Sequence, residues 1–109
     1  MLKLTLEPKF TVPVEITVPG QEETGTMNIT FNYRNSEELT DFWKKNEKTK
    51  LIDMVGEVVD GWDLAEDFNG KNLKTFLINY PSAALEILTV YREMSVGSRV
   101  KNSKLLPLV

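Results

Sequence analysis

The sequence predicts an α+β fold in a single domain: an N-terminal antiparallel β-hairpin, with room for a third short strand, followed by about four α-helices. Three observations carry that expectation. Apolar residues recur at every second position between Phe10 and Tyr33, and a Pro19-Gly20 turn interrupts the run. From Asn35 onward they recur at helical spacing instead. Side chains alternate across a strand, whereas a helix gathers residues three and four apart, so the change of period marks a change of structure. A chain of 109 residues has the length of one domain.

The first strand places Phe10, Val12, Val14, Ile16 and Val18 on one face, with Lys9, Thr11, Pro13, Glu15 and Thr17 between them. Pro13 has no N–H to give a ladder, which pushes this strand towards a sheet edge. Leu2, Leu4 and Leu6 show the same alternation before Pro8 and offer a short extra strand. The polar residues up to Gly25 form a loop, after which Met27, Ile29, Phe31 and Tyr33 share a face of the second strand. An isolated hairpin is only marginally stable, so its apolar face needs cover from the rest of the chain.

That cover is helical. Asn35, followed three residues later by Glu38, has the pattern of a capping box, and Leu39, Phe42 and Trp43 share one side of the helix it starts. Lys44 to Lys48 reads as a solvated end. A second helix is expected over 51–60, with Leu51, Ile52, Val55, Val58 and Val59 as its apolar stripe and Gly61 at its C-terminal left-handed position. Asn72 is positioned to cap a third helix containing Leu73, Phe76, Leu77 and Tyr80, and Pro81 stops it. Ser82 opens the longest helix, about 83–96, with Ala84, Ile87, Leu88, Tyr91 and Met94 along one side and Gly97 closing it. The expected core is Phe10, Val12, Val14, Ile16, Met27, Ile29, Phe31, Val55, Val59, Trp62, Phe76, Leu77, Ile87, Leu88 and Tyr91. The domain is expected over residues 1–98, with 99–109 as a basic and apolar C-terminal tail.

Composition narrows the chemistry. The chain has no Cys and no His, so it lacks thiol nucleophiles, disulfides, imidazole bases and the usual zinc ligands. Asp53, Glu57, Asp60, Asp63, Glu66 and Asp67 form an acidic run, but a calcium loop beginning at Asp63 would have Ala65 third and Phe68 sixth, where an oxygen ligand and a glycine are needed. No catalytic residue, cofactor or metal is expected. The net charge of −3 argues against nucleic acid as the main partner, because phosphate binding needs an excess of Lys and Arg. No stretch approaches the roughly 20 apolar residues that span a bilayer, and the N-terminus lacks the apolar run of a signal peptide, so a soluble cytoplasmic protein is expected.

Two features point to binding. Trp62 and Tyr80 each have a core reading and an interface reading. Leu85, Val90 and Val96 lie off the main stripe of the last helix. Beyond it a basic linker leads to Leu105, Leu106, Leu108 and Val109. Those tail residues either fold back onto the hairpin or bind another molecule. All seven are the candidate partner-binding residues, and self-association through the last helix and the tail is expected.

The order of motifs resembles a family. Pro13-Val14-Glu15-Ile16-Thr17-Val18-Pro19-Gly20, Ile29-Thr30-Phe31-Asn32-Tyr33-Arg34 and Leu39-Thr40-Asp41-Phe42 come first. Val59-Asp60-Gly61-Trp62-Asp63, Phe68-Asn69, Leu77-Ile78-Asn79-Tyr80-Pro81, Ala83-Ala84-Leu85-Glu86-Ile87 and Tyr91 follow. Over about residues 10–99 this is similar to the small tail assembly chaperones of tailed phages and prophages, encoded upstream of the tape measure gene. The resemblance implies a non-catalytic protein that binds the tape measure protein, recruits tail tube subunits and stays in the host cytoplasm, outside the finished virion. It also implies that a longer form made by ribosomal frameshifting accompanies the short one in many relatives. The competing expectations are a structural tail component of the connector or terminator type, and a small phage-encoded regulatory adaptor such as an antitoxin or anti-repressor.

Overall fold

The computed structural model describes residues 2–97. It is α+β, with strands β1 (Lys9–Ile16), β2 (Gly25–Asn32) and β3 (Val59–Trp62), and helices α1 (Ser36–Lys45), α2 (Leu51–Val58), α3 (Gly70–Asn79) and α4 (Ala83–Val96). The three strands form one antiparallel sheet in the order β1-β2-β3. Its third strand is not the N-terminal segment. Leu2 and Leu4 are fully exposed and unpaired, and the strand comes from 59–62, where a helix end and its glycine cap were expected.

The reason lies in Val58-Val59. β-Branched side chains crowd the preceding helical turn but suit a pleated surface. Val59 accordingly leaves the helix with φ −97° and ψ 130°, and the chain runs straight into β3. Gly61 has no positive φ there. It lies opposite Thr30 in the ladder, and a Cβ on it would make an ordinary 3.7 Å contact with the Thr30 Cβ.

In the hairpin Val14, Ile16, Met27, Ile29 and Phe31 are buried on one face. The other face carries Lys9, Thr11, Pro13 and Glu15 with Thr26, Asn28, Thr30 and Asn32, and the Thr11 and Thr30 hydroxyls meet at 2.8 Å. β1 is an edge strand, as Pro13 requires. α4 lies across the inner face, packed on β1 and α2. Thr17, just past β1, gives its backbone N–H to both carboxylate oxygens of Glu86 on α4 (3.1 and 3.2 Å), and its hydroxyl also donates to Glu86.

Side-chain caps set the starts of α1 and α3, but not those of α2 and α4. Asn35 and Glu38 form the reciprocal capping box of α1. α3 is capped by Asn69 rather than Asn72. The Asn69 side chain accepts from the Asn72 N–H at 2.8 Å, so the helix starts one turn earlier than the apolar pattern suggests. Ser82 precedes α4 but makes no side-chain cap bond. Gly97 ends α4 at φ 88°, in the region where a side chain is strained. Asn46, expected in a solvated stretch, is 2% exposed and closes α1 by giving both its backbone and side-chain N–H to the Phe42 carbonyl.

Eleven of the fifteen expected core residues are buried, while Phe10, Val12, Trp62 and Phe76 are half-buried and pack against the core from its rim. Leu39, Phe42, Met54, Val58, Leu73, Ala83 and Ala84 complete it. At its centre Tyr91 of α4 stands among Phe31 (5.3 Å between ring centroids), Phe10 (6.2 Å) and Phe42 (6.4 Å). Burial raises the pKa of the Tyr91 phenol, and its hydroxyl accepts from Arg34 at 3.2 Å.

Candidate functional site

The described surface has an aromatic groove where β3, the loop 63–69 and α3 meet. Trp62 ends β3 half-buried, and its indole Nε1 donates to the Glu66 carbonyl at 2.8 Å. Its ring stands edge-on to Phe68 at 5.2 Å and to Phe76 at 5.7 Å. Phe76 in turn stacks on Tyr80 at 4.6 Å. Positions 72, 76 and 80 recur at helical spacing along α3 and its cap, which puts them on one side. Trp62, Leu64, Glu66, Asn72, Thr75, Phe76, Asn79 and Tyr80 line a cavity of about 320 Å³.

Asp63 holds the loop in place. β3 stops pairing at Trp62, which faces Ile29, so the next β2 donor has no strand partner. That donor is the Asn28 N–H, and it goes to Asp63 Oδ1 at 2.9 Å, while the Asn28 side-chain amide donates to Oδ2 at 2.8 Å. These bonds favour the charged form, and the Asn28 backbone N–H first, then its side chain, holds the Asp63 pKa below the ordinary carboxylate range. Asx chemistry therefore anchors both ends of the loop that joins Trp62 to the groove wall on α3: Asp63 at the strand end and Asn69 at the helix start.

The acidic run of the sequence is dispersed by the fold. Glu57 pairs with Lys45 at 3.0 Å, Asp60 with Lys9 at 3.7 Å, and Asp63 with Asn28. Among the described residues no group of three or more acidic side chains is arranged to hold a metal ion. The chemistry available in the groove is apolar and aromatic contact beside a single carboxylate, that of Glu66.

The partner-binding candidates are scattered relative to this groove. Leu85 is 52% exposed on the first turns of α4. Val90 and Val96 are half-buried and pack against the core, because α4 is covered on two sides, by β1 and by α2, and its apolar arc is wider than one stripe. Leu105, Leu106, Leu108 and Val109 lie outside the described residues. Met94, expected on the core-facing stripe of α4, is instead 55% exposed, because the stripe turns away from the core by the last helical turn; Ile78 on α3, a large apolar side chain off the core stripe, is 60% exposed. Trp62 and Tyr80 are visible in the sequence as isolated aromatics, but Leu64 and the meeting with Phe76 depend on the loop closing. Trp62 follows its core reading in part, packing against the core from its rim while walling the groove.

No helix among the described residues is long and apolar enough to cross a membrane. None of the curated proteins and none of the solved structures compared with this chain matches it. The model of the family described as phage tail assembly chaperone matches residues 1–102, nearly the whole length. The chain therefore belongs to the phage tail assembly chaperone family and has a chaperone role in tail assembly.

Proposed function

We propose that this chaperone binds the tape measure protein before the tail is built and brings tail tube subunits to it, acting without catalysis. Family membership over residues 1–102 is the observation that carries the reading. It acts in the host cytoplasm and is absent from the finished virion. Copies associate with one another and with the tail client through the outer face of α4 and the tail 99–109. Leu85 is the anchor, Val90 and Val96 add the area they do not spend on their own core, and Leu105, Leu106, Leu108 and Val109 extend the contact. A side chain as exposed as Leu85 gains up to roughly 1.5–3 kcal/mol when fully buried, enough to alter association without altering the fold.

The test is co-expression with the tape measure protein encoded beside it. The wild-type chain is expected to keep that protein soluble and to co-purify with it, and to retain tube subunits only when the tape measure protein is present. Leu85→Glu is expected to lower the recovery at an unchanged melting temperature. Tape measure protein that is neither captured nor kept soluble would overturn the reading.

A further inference from the structure

The residues before β1 are apolar and uncovered. Leu2, Leu4 and Leu6 alternate with Lys3, Thr5 and Glu7, yet residues 2–8 form neither strand nor helix. Leu2 and Leu4 are fully exposed, and Leu6 is mostly so. One exposed leucine is ordinary, but three at alternate positions, two of them wholly bare, make a contiguous apolar arm.

The same molecule carries a matching surface. The groove walled by Trp62, Phe76 and Tyr80 is apolar, and Glu66 is its single charged lining residue. Glu66 is exposed, so its carboxylate stands at the rim. Lys3 is the cation between the two bare leucines. Opposite charges at the edge of an apolar contact set its register. Thr75 and Asn79 of α3 also line the groove. Their hydroxyl and amide offer the backbone of an entering segment the partners it gives up in water.

Register keeps an arm away from its own groove. The Pro8 carbonyl accepts from the Tyr33 N–H at 2.8 Å, so the chain stays in line with the hairpin as far as Pro8. Lys9 pairs with Asn32, and the arm leaves the sheet beyond that end. Trp62 lies two strands away, opposite Ile29, and the chain runs on from it towards the hairpin loop, where Asp63 meets Asn28. An arm entering its own groove would have to reverse direction and cross β2 and β3. The arm of another molecule needs no such path.

We infer that residues 2–6 of one copy bind in the aromatic groove of a second copy, with Leu2 and Leu4 against Trp62, Phe76 and Tyr80 and Lys3 at Glu66. Exchange in both directions doubles the contact and closes the assembly as a dimer. This contact is separate from the outer face of α4 and does not depend on which tail protein the client is.

The experiment uses the full chain. Trp43→Phe leaves Trp62 as the sole tryptophan, and its emission and acrylamide quenching are followed over a dilution series beside sedimentation velocity. As concentration rises, dimers are expected to form, with a blue shift and a loss of quenching at Trp62. Leu2→Glu with Leu4→Glu in this background is expected to leave Trp62 open at every concentration. The melting temperature is expected to stay unchanged, because neither leucine packs on its own fold. Glu66→Lys is expected to weaken the protection and added Lys3→Glu to restore it, which a misfolded groove would not allow. A parent that stays monomeric throughout would overturn the inference, even where the arm variant exposes Trp62, since the arm then lies on its own molecule. An arm variant in which Trp62 is as protected as in the parent would overturn it too. Capture of the tape measure protein is read separately, so this inference and the proposed function fail independently.

Discussion

Arg34 illustrates how much one unremarkable residue organises. Its guanidinium lies 4.4 Å above the Phe42 ring, donates to the Glu57 carbonyl at 3.1 Å and to Tyr91 Oη at 3.2 Å, and reaches Asn32 Oδ1. It thereby ties the end of β2 to α1, α2 and α4. Lysine retains the charge but not the planar fork, so Arg34→Lys is expected to lower stability by about 1–3 kcal/mol in urea unfolding. Asp63 makes a pH-dependent contribution. Its folded pKa is depressed, so its stabilisation is complete above the unfolded carboxylate range, about pH 4, and is lost as pH falls through the folded value. Asp63→Asn is therefore expected to lower the melting temperature at neutral pH and to flatten its decline in acid. An unchanged acid limb in a pH series of melts would contradict this. The sequence shows both residues in their motifs but not these roles, because a partner 35 positions away, as Asn28 is from Asp63, leaves no local pattern.

Elements were legible wherever one period ran long enough. The hairpin, α1 and α4 have periodic runs of eight to 14 residues and appear close to their expected bounds. β3 has four residues, too few for any period to show, and a helical stripe runs directly into it. The sheet decided its state, since β2 offered a free edge and Val59 reached it opposite Phe31. Gly61→Ala distinguishes strand from helix cap. In a left-handed cap alanine would cost about 1 kcal/mol, whereas at this extended position it is expected to stabilise by about 0.4–1 kcal/mol through the unfolded chain. Pro13 acts at this scale too. The Asn28 N–H goes to Asp63, so Pro13 lacks its donor on the open side of β1, where another chain could otherwise pair.

At the scale of the molecule, stability depends on joining the hairpin to α4, two pieces far apart in sequence. The Phe31–Tyr91 cluster does this in the core, and the Thr17–Glu86 clasp does it at the rim. Glu86→Ala is expected to cost about 1 kcal/mol in chemical unfolding, below the roughly 1.5–3 kcal/mol of a charge-assisted bond because this one is partly open to water. Phe31→Ala, which empties the centre, should cost about 3–5 kcal/mol by the same measurement. A Glu86→Ala loss as large as that of Phe31→Ala would mean that the rim rather than the core holds the two pieces together.

By itself the sequence determined the α+β class, the hairpin register face, the helical cover, the capping of α1 and the family, since each rests on local periodicity or on motif order along the chain. Only the tertiary structure decided the third strand, the burial of Asn46, the role of Arg34 and the groove between Trp62 and Tyr80. Those depend on which free edge, carbonyl or ring another segment brings within a few ångströms, and that proximity is a property of the packed chain rather than of any stretch of it.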